Sequence, residues 1–215
     1  MNDETFTPAL GRLAPARFFD FVVAMTRERL WRSLTVMHLA PRPGDTVVDV
    51  GSGTGTLALL VARVQPEAVV VAVDPDPDMA AVARRKDTEG RVRWLTGHGD
   101  ALVESVGAES ADAVTSSLVL HQCPLPVKRA ILASMFAALR PGGRLVIADY
   151  GWQRSVAMRL AFKFVQFADG KSDTQPNADG VLPELISDAG FTGVTEAEVV
   201  DTVTGSISIY VARKG

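Results

Sequence analysis

A short apolar run that breaks into alternating glycines constrains this chain more than any other feature. Residues 47–50 read Val-Val-Asp-Val, glycines stand at positions 51, 53 and 55, and an apolar segment resumes at Leu57. Because β-branched residues favour strands and glycine tolerates positive φ, the pattern predicts a buried strand, a turn nearly free of side chains and a helix. The first N–H groups of a helix have no intrahelical partner, so this turn predicts a site for a nucleotide-type ligand.

The spacing of the glycines narrows the choice of nucleotide. A dinucleotide-binding pattern, G-x-G-x-x-G, that starts at Gly51 needs its third glycine at position 56, where this chain has Thr56. The order found here is Asp-x-Gly-x-Gly-x-Gly, beginning at Asp49. It resembles motif I of the class I S-adenosylmethionine (SAM) methyltransferases. A glycine-rich turn with a purely structural role is the alternative.

The resemblance implies that SAM is the cofactor and that this loop holds its methionine end. The cofactor-binding residues that it assigns in the loop are Asp49, Gly51, Ser52, Gly53, Thr54 and Gly55. A second buried strand, residues 68–73, ends at Asp74, nineteen positions beyond Gly55. Nucleotide-binding α/β folds place an acid close to this point, where it accepts hydrogen bonds from ribose hydroxyls. We prefer Asp74 over Asp76 or Asp78 for this role, with a solvated loop acid as the alternative.

Two further segments extend the predicted cofactor site. The resemblance implies an acid followed by a small residue after the third strand, and Asp100-Ala101 fits this pattern. The acid would accept from the adenine amino group, and the following backbone N–H would donate to the ring. Because open α/β sheets bind ligands at the carboxyl ends of their strands, Ser116 and Ser117 at the end of the fourth strand are predicted to contact SAM.

His121 follows the fourth strand by four residues, close to the expected acceptor. A histidine in that position is a candidate general base, and it is the only catalytic residue that we assign. The alternative is a packed, hydrogen-bonded histidine, which the resemblance favours because relatives often carry a histidine here without needing it for chemistry.

The amino-acid composition limits which classes of protein this chain can belong to. The chain has 215 residues, 47% hydrophobic and 22% charged, which is typical of one globular domain with a sizeable core. The net charge of −3 provides no basic field, so we do not expect a nucleic-acid partner. A single cysteine, Cys123, and three histidines without ligand spacing predict neither a disulfide nor a metal site. The acidic N-terminus and the lack of a membrane-length apolar run predict a cytoplasmic protein without a membrane span.

The remaining segments complete a predicted α/β fold. Residues 15–40 carry apolar positions at helical spacing and predict two helices, and the segment 29–32 resembles the same region of the ubiquinone/menaquinone C-methyltransferases. The turn at residues 140–144, Arg-Pro-Gly-Gly-Arg, is a further family mark. The aromatic and aliphatic segment 151–180 is predicted to form a lid over the acceptor, or else only to pack on the sheet. A C-terminal hairpin should end the domain, with a turn at Gly205.

The resemblance therefore implies one Rossmann-like domain over residues 1–215. It would contain a doubly wound sheet of seven strands, mostly parallel, with one antiparallel strand in the C-terminal hairpin. Its predicted activity is transfer of the SAM methyl group to a small, apolar acceptor, nearest in character to the ubiquinone/menaquinone group. The alternatives are a SAM-binding protein of this fold without methyl transfer and, less favoured by the glycine spacing, a nicotinamide-dependent oxidoreductase. The oligomeric state does not follow from the sequence.

Overall fold

The computed structural model describes residues 27–215 and contains one seven-stranded sheet. Its strands are β1 Thr46–Val50, β2 Val69–Asp74, β3 Val92–Thr96, β4 Ala111–Ser117, β5 Leu139–Tyr150, β6 Phe191–Thr202 and β7 Gly205–Lys214. The spatial order is β3-β2-β1-β4-β5-β7-β6. Strands β1 to β5 pair in parallel, whereas β7 runs antiparallel to both β5 and β6. The predicted fold class, including the single antiparallel strand in a C-terminal hairpin, is confirmed.

Helices connect the parallel strands and cover both faces of the sheet. They are α1 Glu28–Leu39, α2 Thr56–Val64, α3 Pro77–Lys86, α4 Leu102–Val106, α5 Leu125–Ala138, α6 Val156–Asp169, α7 Lys171–Ala178 and α8 Leu182–Asp188. Short 3₁₀ turns lie at Gly99–Ala101 and Leu120–Gln122. None of the helices in residues 27–215 is both long enough and apolar enough to cross a bilayer.

The core has two layers because side chains alternate across each buried strand. Val47 of β1 packs into a cluster that contains Trp31 of α1 and Phe162 of α6, while Val48 packs into a second cluster with Leu132 of α5. All of these side chains are buried. Strands covered on both faces read as continuous β-branched runs, which explains why the Val-Val-Asp-Val segment was readable as a strand.

Three segments differ from the prediction or extend it. The first of the two predicted N-terminal helices lies mostly outside the described residues, and α1 corresponds to the second. The predicted turn at residues 140–144 is a bulge at the start of β5, since Ala111 pairs with Leu139 whereas Ala113 pairs with Arg144. Residues 151–180 form α6 and α7, which pack beside the 3₁₀ turn that follows β4.

Candidate functional site

A pocket opens where β1, β2 and β4 end, at the point where the strand order reverses direction. Ligands bind at such points in open α/β sheets because the loops on the two sides diverge and leave a crevice. Seven of the predicted site residues line it: Gly51, Ser52, Gly53, Thr54, Asp74, Asp100 and Ser117. Five of them do not: Asp49, Gly55, Ala101, Ser116 and His121.

The three glycines of the loop have different roles, although all adopt positive φ, at 68°, 53° and 78°. A Cβ atom at Gly51 would overlap Val119, and one at Gly55 would overlap Trp94. A Cβ atom at Gly53 would meet no atom within 4 Å, because this glycine faces the open pocket. Gly51 and Gly55 thus permit close packing around the loop, whereas Gly53 borders the space available to a ligand.

Asp74 joins the loop to the end of β2. One of its carboxylate oxygens accepts from the Gly53 N–H at 2.6 Å, and the other accepts from the Asp76 N–H at 2.9 Å. Burial raises the pKa of Asp74, and these two hydrogen bonds oppose the rise. Each oxygen keeps further acceptor capacity towards the pocket, as the predicted ribose contact requires. Asp76 instead caps α3, accepting from the N–H groups of Asp78 and Met79.

The segment after β3 differs in part from its prediction. Asp100 is exposed and borders the pocket together with His98, which sequence reasoning did not single out. The backbone N–H of Ala101, predicted to donate to an adenine ring, donates to the His98 carbonyl oxygen at 3.1 Å. Because this bond closes the 3₁₀ turn at Gly99–Ala101, the N–H points within the turn and not to a ligand.

The two serines at the end of β4, Ser116 and Ser117, have different surroundings. The Ser116 hydroxyl is buried and donates to the Val50 carbonyl oxygen at 2.7 Å, so it ties β4 to β1 and is absent from the pocket lining. Ser117 does border the pocket. The next residue, Leu118, has φ of 56°, a conformation that is rare for a branched side chain. This strained turn carries the chain from β4 into the pocket wall.

His121 lies behind that wall, in a cluster of buried charges. Its Nδ1 is 2.7 Å from Asp149 at the end of β5, and its Nε2 is 3.4 Å from Asp169 at the end of α6. Burial lowers the pKa of His121, but the charges and hydrogen bonds of the two carboxylates outweigh it and raise the pKa to about 9. The ring is therefore protonated at neutral pH and has no acceptor nitrogen for a general base. The geometry favours the packed alternative over the predicted catalytic role.

Two members of this cluster were not found by sequence reasoning. Asp149 also accepts from the backbone N–H groups of Val119, Leu120 and Tyr150, at 3.0, 2.7 and 2.8 Å. Lys128 of α5 is fully buried, and its ammonium group donates to the carbonyl oxygens of Leu120 and Asp173. An acid that ends a buried strand was a usable signal for Asp149. Nothing local distinguishes Lys128 from a solvated lysine.

Comparison with known proteins decides the family. The chain is 32% identical over 170 residues to the demethylmenaquinone methyltransferase of Renibacterium salmoninarum, which covers 77% of this chain and 68% of that protein. The family described as a methyltransferase domain matches residues 47–143. The chain belongs to the class I SAM methyltransferases. It spans little more than half the length of several other curated relatives that it matches.

Solved structures share the fold of this methyltransferase at low sequence identity. Phosphoethanolamine N-methyltransferase 2 of Haemonchus contortus, in complex with SAM, superposes with a TM-score of 0.71 at 16% identity, covering 93% of this chain and 56% of that one. The [4+2]-cyclase SpnF superposes with a TM-score of 0.67 at 18% identity, covering 87% and 81% of the two chains. These neighbours establish a common fold and no more.

The site of this methyltransferase fits SAM, the cofactor of its family and the one predicted. Asp49 is buried in β1, and among the described residues the nearest hydrogen-bond donor to its carboxylate is the Ala58 N–H, which is not in good hydrogen-bond geometry. Burial raises the pKa of Asp49 to about 7, against the opposing charge of Arg32. Asp49 lies behind the loop and outside the pocket lining, so the ammonium or sulfonium group of SAM bound at the loop would act on it through charge, together with Arg32, and would favour its ionised form. Open space beside Gly53 provides the approach.

We expect Gly53→Val to weaken SAM binding about a hundredfold or more, because the branched side chain enters the pocket and φ of 53° strains it. Isothermal titration calorimetry on the folded variant measures the effect. Gly44→Val is the matched control, since Gly44 also has positive φ and open space but lies in an exposed turn outside the pocket lining. Normal SAM affinity in the Gly53 variant would refute the assignment of the loop.

Asp74→Ala should weaken SAM binding by about 1–3 kcal/mol through the loss of charge-assisted bonds to the ribose. The control is Asp76→Ala, which removes the cap of α3 and should lower the free energy of unfolding by about 1 kcal/mol with a smaller effect on SAM affinity. Calorimetry and urea unfolding separate the two effects. A loss of affinity confined to the Asp76 variant would show that the wrong acid was chosen.

The charged cluster predicts a pH dependence of stability. The pKa of His121 is raised from 6.5 to about 9, so proton binding stabilises the folded state fully below about pH 6.5, and this contribution is lost as the pH rises through 9. His121→Ala should cost about 2–4 kcal/mol in urea unfolding at pH 6 and less at pH 10. Turnover per folded molecule should change little.

His38→Ala is the control for that measurement, because His38 is only half-buried and lies 3.5 Å from Glu198. It should lower the free energy of unfolding at pH 6 by less than His121→Ala does, because its side chain is partly exposed. A drop in turnover of about a hundredfold in the His121 variant, with unchanged stability, would restore the catalytic assignment.

Proposed function

We propose that this protein transfers the methyl group of SAM to a small, predominantly apolar acceptor that is already nucleophilic. The observation that carries the proposal is the division of the pocket into two differently built sides. Asp74 and Asp76 follow β2, on one side of the glycine loop, whereas the segment after β4 lies on the other side. That second side also includes Ser117 and Gln122 but is formed mainly by apolar residues, namely Leu118, Val119, Cys123, Pro124, Val127 and Ile131. Carboxylates suit the cationic cofactor, and the apolar wall suits an apolar acceptor.

The names of relatives support the same class of acceptor. The chain matches a demethylmenaquinone methyltransferase and ubiquinone/menaquinone biosynthesis C-methyltransferases. Quinones of this kind carry an apolar chain, and their reduced forms contain an electron-rich aromatic ring. We therefore place a reduced, prenylated aromatic ring first among the acceptors to test.

The residues of the apolar wall provide positioning and no base. Bound SAM supplies an electrophilic methyl group on a sulfonium centre. Burial raises the pKa of the Cys123 thiol to about 11, so this group is neutral at ordinary pH and is not a thiolate nucleophile. His121 is protonated and lies outside the pocket lining. Aligning an intrinsically reactive acceptor with the methyl group is then the main contribution of the protein.

Other predictions from the sequence stay predictions. They are a single domain over residues 1–215, the absence of a nucleic-acid partner and a cytoplasmic location. The predicted acceptor lid at residues 151–180 lacks support from the pocket itself, because none of those residues lines it.

Methyl transfer should be detected by incubating the protein with methyl-labelled SAM and a reduced, short-chain prenylated naphthoquinol. The expected product is the C-methylated ring, seen by mass spectrometry as the gain of one methyl group. A catechol and a primary amine test O- and N-methylation in parallel. Gly53→Val is the matched control, because it should remove product formation together with SAM binding.

SAM binding by calorimetry without product from any acceptor would favour the alternative of a SAM-binding protein with another role. The similarity of the fold to a cyclase shows that this alternative is physically reasonable. A parallel titration with NAD tests the oxidoreductase alternative, for which we expect no binding because the glycine spacing is wrong.

A further inference from the structure

Helix α6 carries an apolar stripe that residues 27–215 do not bury. Val156, Leu160, Phe164 and Phe167 follow one another at helical spacing, and their exposed fractions are 70%, 58%, 57% and 91%. The opposite face of the same helix already supplies the core, where Phe162 and Val165 are buried. Exposed aromatic side chains in a continuous row are unusual on a protein surface and mark an interaction site.

Basic side chains border this stripe. Arg159 and Lys163 are exposed and lie along one edge of it, and Lys171 follows just beyond the end of the helix. The Arg159 guanidinium donates to the carbonyl oxygens of Gln153 and Arg154, which keeps its charge at the surface. Among the described residues, no ion pair neutralises Lys163 or Lys171.

The acids near α6 do not interrupt the stripe, although Asp173 lies two residues beyond Lys171. The only acid within α6 is Asp169, whose carboxylate faces His121 in the buried cluster. Glu196 pairs with Arg154, and Asp179 accepts from Gln175. Within α6 the exposed charges beside the stripe are those of Arg159 and Lys163, so this edge of the helix is positive, although the chain as a whole carries a net charge of −3.

We propose that the outward face of α6 docks on the surface of an anionic lipid bilayer, with the helix lying in the plane of the interface. An apolar face that inserts among acyl chains, bordered by Lys and Arg that reach phosphate headgroups, is the pattern of helices that bind in this way. A second copy of the chain fits less well, because a symmetric pairing of two α6 stripes would bring their basic borders close together.

The position of α6 relative to the pocket connects the proposed membrane docking to the proposed methyl transfer. Asp169 at the end of the helix contacts His121, and the next residues after His121, Gln122 and Cys123, border the pocket. The contact between Asp169 and His121 thus connects α6, on which the bilayer would lie, to the apolar wall of the pocket. Delivery of an apolar acceptor from the bilayer rests on the proposed function, whereas the docking rests on α6 alone.

Co-sedimentation of the full chain with vesicles tests the docking. We expect binding to vesicles of phosphatidylcholine mixed with phosphatidylglycerol and much weaker binding to phosphatidylcholine alone. Phe164→Ser combined with Phe167→Ser should lower the partition coefficient about tenfold or more. Both side chains are exposed, so the variant should fold. The control is Val64→Ser combined with Val69→Ser, which changes two comparably exposed residues far from α6.

A charge-reversal pair tests the electrostatic part of the proposal. Lys163→Glu combined with Lys171→Glu should remove the preference for phosphatidylglycerol, while Arg84→Glu combined with Arg85→Glu makes the same change of charge on α3 and should retain it. These vesicle measurements need neither SAM nor an acceptor, so their failure would leave the proposed methyl transfer untouched, and the reverse also holds.

Three outcomes would overturn the docking. The wild-type chain could fail to bind anionic vesicles, or the phenylalanine variant could bind them as the wild type does. Thirdly, the phenylalanine variant could change the oligomeric state in sedimentation velocity with no change in vesicle binding, which would assign the face to self-association.

Discussion

The pocket wall depends on one buried charge, the carboxylate of Asp149. A fully buried carboxylate is costly unless hydrogen bonds surround it, and Asp149 accepts from three backbone N–H groups and from the His121 ring. Two of those N–H groups belong to Val119 and Leu120, so satisfying the charge also sets the path of the chain after β4. The same carboxylate keeps His121 protonated, and His121 in turn reaches Asp169 on α6. One anion thus links the end of β5, the pocket wall and α6.

The sequence predicted those features that depend on residues close together in the chain better than those that depend on residues far apart in it. The position of the glycine loop and of Asp74 beside the pocket could be predicted, because backbone conformation and position at a strand end are both recorded in a local pattern. The fold was predicted for the same reason, through strands buried on both faces. Even so, the pattern treated the three glycines alike, and only the surroundings show that Gly51 and Gly55 serve packing while Gly53 faces the pocket.

The residues whose surroundings the sequence does not predict are those whose partners are distant in the chain. Ser116 ends the predicted strand as expected, but its hydroxyl bonds to Val50, 66 residues away. His121 was close enough to the expected acceptor to suggest a base, yet Asp149 and Asp169, 28 and 48 positions further on, determine its protonation and its orientation. Lys128 is similar, since only its carbonyl partners distinguish it from a surface lysine. No spacing within one segment carries this information.

The cofactor side and the apolar wall of the pocket also differ in where the residues that position them lie in the chain. The cofactor side is built from residues within the segment 47–143 that matches the methyltransferase family, so its chemistry is shared with relatives. The apolar wall falls in the same segment, but it is positioned by Asp149 and supported by α6 and α7, which lie outside that match. Neighbours at 16% to 18% identity retain the fold while their printed names describe different chemistry. The residues that hold the apolar wall in place, Asp149 and Asp169, therefore lie beyond residue 143, whereas the wall itself lies within the matched segment.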